Sequence, residues 1–184
     1  MKNELSVIYV TDSLHSNFEV LSKLYEKLKK EDLKWEFVIS SPSEDVKAIT
    51  DSISFAGNKN NVICVKAKHN SIYSSVKASL HVANYKTALL IKADSLTEEN
   101  VDAFDVSTML KETNVLTDFN VLEHNLGISM KTFYVKSMVN DIKFSDKNMF
   151  NEIVYTSGTR QTKEKTCKKY FRKGLKLKKL YGVG

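Results

Sequence analysis

The chain has 184 residues, of which 42% are hydrophobic and 27% charged, and its formal net charge is +6. These values exclude a disordered chain and suit a single globular domain. No apolar stretch approaches the roughly 20 residues of a transmembrane helix, and the amino terminus MKNELSVIYVTDS lacks the pattern of a secretory signal. We therefore predict a cytoplasmic protein.

Strands and helices alternate through the first half of the chain. Apolar, β-branched segments predict strands at 5–10, 35–39, 62–65 and 87–91. Amphipathic segments predict helices beginning near Ser16, at Ser43 and over 74–83, and another begins at Thr97. This alternation is typical of βαβ units, so we predict an α/β fold with a mainly parallel sheet and flanking helices.

The second half is predicted less regularly. After the helix that begins at Thr97, three apolar segments are interpreted as strands or strand edges, at 115–121, 128–135 and 142–144. The register of these segments does not follow from the sequence.

The charge is divided unevenly along the chain. Residues 160–184 contain ten Lys or Arg and one Glu, and the remaining 18 basic and 21 acidic side chains lie in residues 1–159, a net of −3. We therefore divide the chain into a folded domain, 1–159, and a basic amphipathic tail, 160–184. The tail suits peripheral contact with the inner face of the cell membrane, a solvated or partner-docking end or, least favoured, nucleic-acid binding.

The cysteines and histidines do not form a metal-binding pattern. Cys64 and Cys167 are far apart and have no CxxC spacing, so we interpret both as reduced thiols. His69, His81 and His124 lack paired spacing, and we interpret them as surface or loop residues.

Polar side chains follow three of the predicted strands. In open α/β sheets, ligands bind outside the carboxyl ends of the strands. The candidate residues there follow the first, second and fourth strands: Thr11, Asp12, Ser41, Ser43, Lys92 and Asp94. The alternative interpretation is that these residues turn the chain and cap the next helix.

The order of these segments resembles the family 2 glycosyltransferases, which have the GT-A, Rossmann-like fold and move a sugar from a nucleotide diphosphate to an acceptor. LSVIYVTDS at 5–13 is similar to their VSVIIPTYN, and WEFVISSPSED at 35–45 to their YEIIVVDDGSTD. Residues 69–95 look like the family's signature NxGxxxARNxGxxxAxGEYIxFLDADD. Residues 130–155 are similar to the acceptor-side segment of capsule and teichoic-acid transferases.

The resemblance implies a role for the strand that ends in Lys92-Ala93-Asp94. The family has a DxD motif there, which holds Mg²⁺ or Mn²⁺ against both phosphates of the sugar nucleotide. Asp94 retains one carboxylate for the metal. Lys92 replaces the first acid and can itself meet a phosphate as a point charge.

The remaining site residues follow from the same resemblance. Thr11, Asp12, Ser41 and Ser43 stand where the family contacts the base and ribose of the nucleotide. Glu152, in the pair Asn151-Glu152, stands where the family has its catalytic Glu-Asp pair, and as a general base it would accept the proton of the acceptor hydroxyl. The alternative for Glu152 is a solvated acid at the start of a helix or strand.

These observations lead to two hypotheses on function. The first is a glycosyltransferase of polysaccharide biosynthesis that takes a nucleotide sugar, a UDP-linked one being favoured, and transfers the sugar to a cell-surface glycan or lipid-linked acceptor. The second is a non-catalytic homologue that acts as a binding or scaffolding partner. The second hypothesis is supported by the absence of carboxylates at 40–43 and at position 92.

Overall fold

The computed structural model describes residues 3–11, 18–41, 61–69, 71–116 and 120–158. The strands are β1 (Asn3–Val10), β2 (Leu33–Ser41), β3 (Val62–Lys66), β4 (Thr87–Ile91), β5 (Val121–His124) and β6 (Gly127–Lys131). The helices are α1 (Phe18–Lys29), α2 (Ile72–Val82), α3 (Glu98–Ala103), α4 (Val106–Val115), α5 (Thr132–Asp141) and α6 (149–158). The predictions for Asp12, Ser43, the helix at Ser43, Cys167 and the tail 160–184 lie outside the described residues.

The strands form one sheet with the order β3-β2-β1-β4-β6-β5. β1 pairs in parallel with β2 and β4, and β2 pairs in parallel with β3. β6 runs antiparallel to both β4 and β5. The predicted α/β fold with a mainly parallel sheet and flanking helices is therefore confirmed.

β1 is the central strand, and helices cover both of its faces. Its residues from Leu5 to Val10 are all buried, as expected for a parallel strand in the middle of an α/β sheet. Leu5, Val7 and Tyr9 belong to one core cluster, whereas Ile8 and Val10 belong to the other. This alternation follows from the two-residue repeat of a strand.

The helices divide between the two faces of the sheet. α1, α3 and α4 contribute to the first cluster, where Tyr25 meets Trp35 edge-to-face with ring centroids 4.9 Å apart. α2, α5 and α6 contribute to the second cluster. The change of face agrees with right-handed crossovers, because the chain moves outward from β1 to β3 and then returns across the sheet to β4. Within the described residues, no helix has both the length and the apolarity of a membrane span.

Short polar side chains begin three of the helices. Ser71 accepts a hydrogen bond from the amide of Ser74, and Thr97 accepts one from the amide of Asn100. Asp105 accepts hydrogen bonds from the side chain and the amide of Thr108, and these lower the pKa of its carboxyl. Each cap satisfies an amide that the first helical turn leaves without a partner.

The second half of the chain corrects three sequence predictions. Val115 ends α4, so the strand predicted at 115–121 begins only at Val121. The strand predicted at 128–135 ends at Lys131, and Thr132 begins α5. Residues 142–144 are not a strand. The apolar residues of 128–139 contain a strand repeat followed directly by a helix repeat, which the sequence does not separate.

A close backbone approach explains the glycine at the start of β6. A Cβ atom at Gly127 would lie 2.1 Å from the carbonyl oxygen of Leu90 in β4. Because a backbone atom cannot move aside as a side chain does, a larger residue would separate β6 from β4.

Glu36 is a buried carboxylate in the middle of β2, with 6% of its surface exposed. Its Oε1 accepts hydrogen bonds of 2.6 Å from Ser6 Oγ and from the amide of Asn84. Its Oε2 accepts one from Asn84 Nδ2 at 2.9 Å. Glu36 therefore ties the turn before β4 to the two central strands, and these bonds offset the cost of burying its charge.

We predict that Glu36→Ala lowers the free energy of unfolding by about 3 kcal/mol, because three donors lose their acceptor in a buried site. Glu36→Gln should cost less, since the amide oxygen still accepts. Urea unfolding of both variants measures the difference. Glu99→Ala, at an exposed position of α3, is the control and should stay within about 0.5 kcal/mol of the parent. Equal stability of Glu36→Ala and the parent would contradict the role of Glu36.

His124 corrects the prediction that it is a surface or loop residue. It lies half-buried in β5, with Nε2 2.8 Å from Ser129 Oγ and its ring against Phe104. Desolvation by burial lowers the pKa of the imidazole below its ordinary value of 6.5, and Glu112 partly opposes the shift. The folded chain therefore binds a proton at His124 less readily than the unfolded chain does.

We predict that this difference makes stability depend on pH. The contribution of His124 to the free energy of unfolding is fully present above pH 6.5 and declines as the pH falls below 6.5. The reason is that the unfolded state takes up a proton at this residue at a higher pH than the folded state does. Urea unfolding at pH values above and below this range should show a smaller acid loss for His124→Gln than for the parent. His69→Gln, at an exposed loop position, should behave as the parent; the same acid loss in all three proteins would rule His124 out.

Candidate functional site

The carboxyl ends of β2, β1 and β4 lie side by side. Val10 is level with Ser40 across one strand pair, and Tyr9 is level with Ile91 across the other. The residues that follow, Thr11, Ser41 and Lys92, therefore stand at one edge of the sheet. The chain leaves β1 toward β2 on one side and returns to β4 on the other, so a topological switch point lies between β1 and β4.

The hydroxyl side chains at this edge are largely buried. Thr11 and Ser41 are each 2% exposed, and the amide of Thr11 donates to the carbonyl of Ser40 over 3.2 Å. Both residues make further polar contacts. Their placement beside the switch point agrees with the predicted positions, whereas contact with a nucleotide remains a prediction.

Two serines of α2 extend this polar group, and the sequence analysis did not identify them. Ser79 Oγ donates to Ser40 Oγ over 2.7 Å, and Ser40 Oγ donates to the carbonyl of Ser75 over 3.2 Å. Ser75 Oγ is buried and has no hydrogen-bond partner in the described part of the chain. The four-residue spacing of Ser71, Ser75 and Ser79 was the available signal, since it places them on one helix face.

Lys92 already has partners in this structure. Its ammonium lies 3.0 Å from Glu123 Oε1 and 5.6 Å from the ring centroid of Phe150. Its amide donates to the carbonyl of Leu126 over 3.0 Å. A phosphate at Lys92 would therefore compete with the carboxylate of Glu123.

Asp94 lies in a single 3-10 turn, Ala93–Ser95, directly after β4. Its side chain is exposed and makes no hydrogen bond or ion pair to any described residue. Thr97, and not Asp94, caps α3. The alternative interpretation, in which this segment caps the next helix, is therefore correct for Thr97. The carboxylate of Asp94 takes no part in the cap and is accessible to a ligand.

Glu152 lies in the first turn of α6. Its Oε2 accepts a hydrogen bond from the amide of Ser145 over 2.9 Å. Phe150 lies on the face of α6 that is turned toward Lys92. Because residues two positions apart do not share a helix face, Glu152 is turned away from Lys92. Glu152 instead lines a depression of about 360 Å³ whose other residues are Ile142, Phe144, Asn148, Asn151, Tyr155 and Thr156.

The side chains at this edge fit only one mode of metal binding. Among the described residues, no group of three or more His, Cys, Asp or Glu is placed to hold an ion. Among the described residues of this edge, Glu123 is paired with Lys92 and Asp94 has an unpaired carboxylate. A single carboxylate suits Mg²⁺ that takes its other ligands from a diphosphate and water.

Comparison with solved structures shows the same architecture. The 4-diphosphocytidyl-2C-methyl-D-erythritol synthase of Anaerococcus prevotii matches with a TM-score of 0.50 and 11% identity over 82% of each chain. Another structure of that synthase matches with a TM-score of 0.51 and 11% identity over 86% of each chain. TarS 1-349 of S. aureus matches with a TM-score of 0.50 and 18% identity over 85% of this chain and 54% of its own.

The chain thus spans about half of that TarS structure. No family model and no curated protein matches the sequence. These likenesses show that the chain shares an α/β fold with these proteins, and in this chain it consists of a single mixed sheet with helices on both faces.

The ion pair between Lys92 and Glu123 leads to a prediction about the affinity for a diphosphate. If Lys92 meets a phosphate, Glu123→Gln should tighten UDP binding about two- to fivefold, because exposed ion pairs contribute roughly 0.3 to 1 kcal/mol. Isothermal titration calorimetry measures the change. Glu99→Gln removes the same charge from an exposed position of α3 and should leave the affinity unchanged. Unchanged affinity in Glu123→Gln would remove Lys92 from the phosphate site.

Proposed function

We propose that this chain is a glycosyltransferase that binds a nucleotide sugar at the carboxyl ends of β2, β1 and β4. The observation that carries the proposal is the open carboxylate of Asp94 beside the switch point. The sequence resemblance to the family 2 glycosyltransferases supports the same position, and so does the likeness to TarS in fold.

The donor would lie with its diphosphate against Asp94 and Lys92. The base and ribose would lie toward Thr11 and Ser41, where hydroxyls and backbone groups offer hydrogen bonds. Asp94 would hold Mg²⁺ or Mn²⁺ together with the diphosphate, and the metal would supply positive charge against that of the leaving group. Lys92 adds a positive charge once the diphosphate replaces Glu123 as its partner.

The transfer would be a single displacement on the sugar. The bond from the anomeric carbon to the diphosphate breaks, a bond to the acceptor oxygen forms, and the acceptor hydroxyl gives its proton to a carboxylate. Glu152 is the base that the sequence resemblance implies, although the depression that it lines includes neither Lys92 nor Asp94. Ser145 occupies its Oε2, whereas Oε1 has no partner among the described residues and is available to receive the proton.

A second candidate is a reaction that forms a diphosphocytidyl compound. The two synthase structures match over 82% and 86% of both chains, against 54% of TarS 1-349. This candidate uses the same edge of the sheet and differs in the nucleotide, which would be CTP. The non-catalytic scaffold is the third possibility, and it requires no nucleotide at all.

We predict that UDP with Mn²⁺ raises the melting temperature. A ligand that binds only the folded state at about 100 times its Kd stabilises that state by about 2.7 kcal/mol. Differential scanning fluorimetry with UDP, UDP-sugars and CTP, each with and without Mn²⁺, measures the shifts. A larger shift with CTP would favour the second candidate, and no shift with any nucleotide up to millimolar concentrations would favour the scaffold.

The variant Asp94→Asn tests the proposed contact. It should remove the Mn²⁺-dependent part of the UDP shift and leave the melting temperature without ligand unchanged, because the side chain is exposed and has no partner among the described residues. Glu99→Gln serves again as the matched charge control and should keep the full shift. If Asp94→Asn also keeps it, Asp94 is not in the site.

A further inference from the structure

A large depression lies on the second face of the sheet, away from the carboxylate of Asp94. Its volume is about 1120 Å³, and its walls come from β3, α2, α5 and residues 143–147. We call it the α2–α5 groove. The nucleotide site proposed above does not use the side chains of this groove.

The rim of the groove is strongly basic. Six lysines line it, Lys66, Lys68, Lys77, Lys136, Lys143 and Lys147. The described carboxylate in the lining is that of Asp146, which already accepts a hydrogen bond from the amide of Tyr73 over 2.8 Å. Anions are therefore attracted to the groove.

Four of these lysines are free to meet a ligand. Lys68, Lys77, Lys143 and Lys147 are exposed and form no ion pair or hydrogen bond with the described residues. Lys136, in contrast, donates to the carbonyl of Ala83 over 2.9 Å at the end of α2. The free ammonium groups come from three separate segments, so they surround the groove and do not form a single helix face.

The floor of the groove is apolar. It is formed by side chains that also belong to the second core cluster or pack on it, such as Val65, Leu80, Val139 and Phe144. The hydroxyl of Tyr73 donates to the carbonyl of Val139 over 2.7 Å, and its ring lies 6.3 Å from that of Phe144. An apolar floor under a cationic rim is complementary to a molecule with an apolar chain and an anionic head.

We infer that the α2–α5 groove binds a long-chain alkyl phosphate. The chain lies on the apolar floor, and the phosphate lies among Lys68, Lys77 and Lys143. A nucleic acid fits less well, because it would cover the apolar floor with charged backbone. If the ligand of this groove is the lipid-linked acceptor, that role depends on the transferase function proposed above.

The test uses the full chain and three probes in isothermal titration calorimetry. Dodecyl phosphate, below its micelle concentration, carries both the chain and the phosphate. Butyl phosphate carries the head with little chain, and dodecyl maltoside carries the chain with an uncharged head. We expect dodecyl phosphate to bind one per chain and the other two to bind at least about tenfold more weakly.

Charge-reversal variants show where on the chain dodecyl phosphate binds. Lys77→Glu with Lys143→Glu should weaken dodecyl phosphate about tenfold or more. Lys86→Glu with Lys111→Glu makes the same charge change at exposed positions outside the groove and should have little effect. Ala78→Trp, which adds a large side chain to the groove lining, should also weaken binding. Circular dichroism melting checks that each variant is folded.

Several outcomes would overturn the inference. Equal binding of butyl phosphate would indicate a simple anion site, and equal binding of dodecyl maltoside an apolar patch. Equal weakening by both lysine pairs would indicate attraction by net charge alone. Binding of a poly(U) oligonucleotide that the groove pair removes, without binding of dodecyl phosphate, would indicate a nucleic-acid site.

The outcome is separable from that of the proposed function. The groove variants should keep the UDP-dependent thermal shift, because their substitutions lie outside the nucleotide site. A chain that binds UDP but no dodecyl phosphate would lose this inference alone. A chain that binds dodecyl phosphate but no nucleotide would keep the lipid-phosphate site and lose the transferase.

Discussion

The parallel pairing of β1 with both β2 and β4 determines the arrangement of the sheet's carboxyl edge. β1 is buried on both faces and has a hydrogen-bonded strand on each side. Because the strand order places β2 on one side of β1 and β4 on the other, a topological switch point lies between the carboxyl ends of β1 and β4. The edge that carries Thr11, Lys92 and Asp94 follows from this arrangement, and so does the division of the helices into two layers.

Buried polar groups hold the two ends of α2 to the central strands. At its carboxyl end, the amide and side chain of Asn84 donate to Glu36. Nearer its amino end, the carbonyl of Ser75 accepts a hydrogen bond from Ser40 Oγ, and in its carboxyl-terminal half Ser79 Oγ donates to the same hydroxyl. Hydrogen bonds are directional, whereas apolar packing is not. These contacts therefore fix the position of α2 along the direction of the strands. The α2–α5 groove is bounded by the helix that they position.

The sequence predicted the parts of the fold in which one repeat dominates. The four parallel strands and α1 have clear two- or four-residue patterns, and Thr97 was placed correctly at the start of a helix. The segment 128–139 was not resolved, since two repeats meet there without a glycine or proline between them. Glu36 was missed because a charged residue in a strand is normally solvent-facing, and only the three-dimensional structure brings its three donors together. The positions of Thr11, Ser41 and Lys92 at the sheet edge follow from the strand pattern, whereas partners such as Glu123 for Lys92 depend on tertiary contacts.

The side chain of Asp94 is exposed and makes no hydrogen bond or ion pair with the described residues, and this affects which substitutions the fold tolerates. The bonds that keep the sheet intact lie in the interior, at Glu36 and along β1, while the rim residue Asp94 takes part in none of them. Exchanges at such a rim position change folding free energy by less than about 0.5 kcal/mol. The fold therefore places little constraint on the side chain at position 94, and the residues that maintain folding are separate from those at this rim.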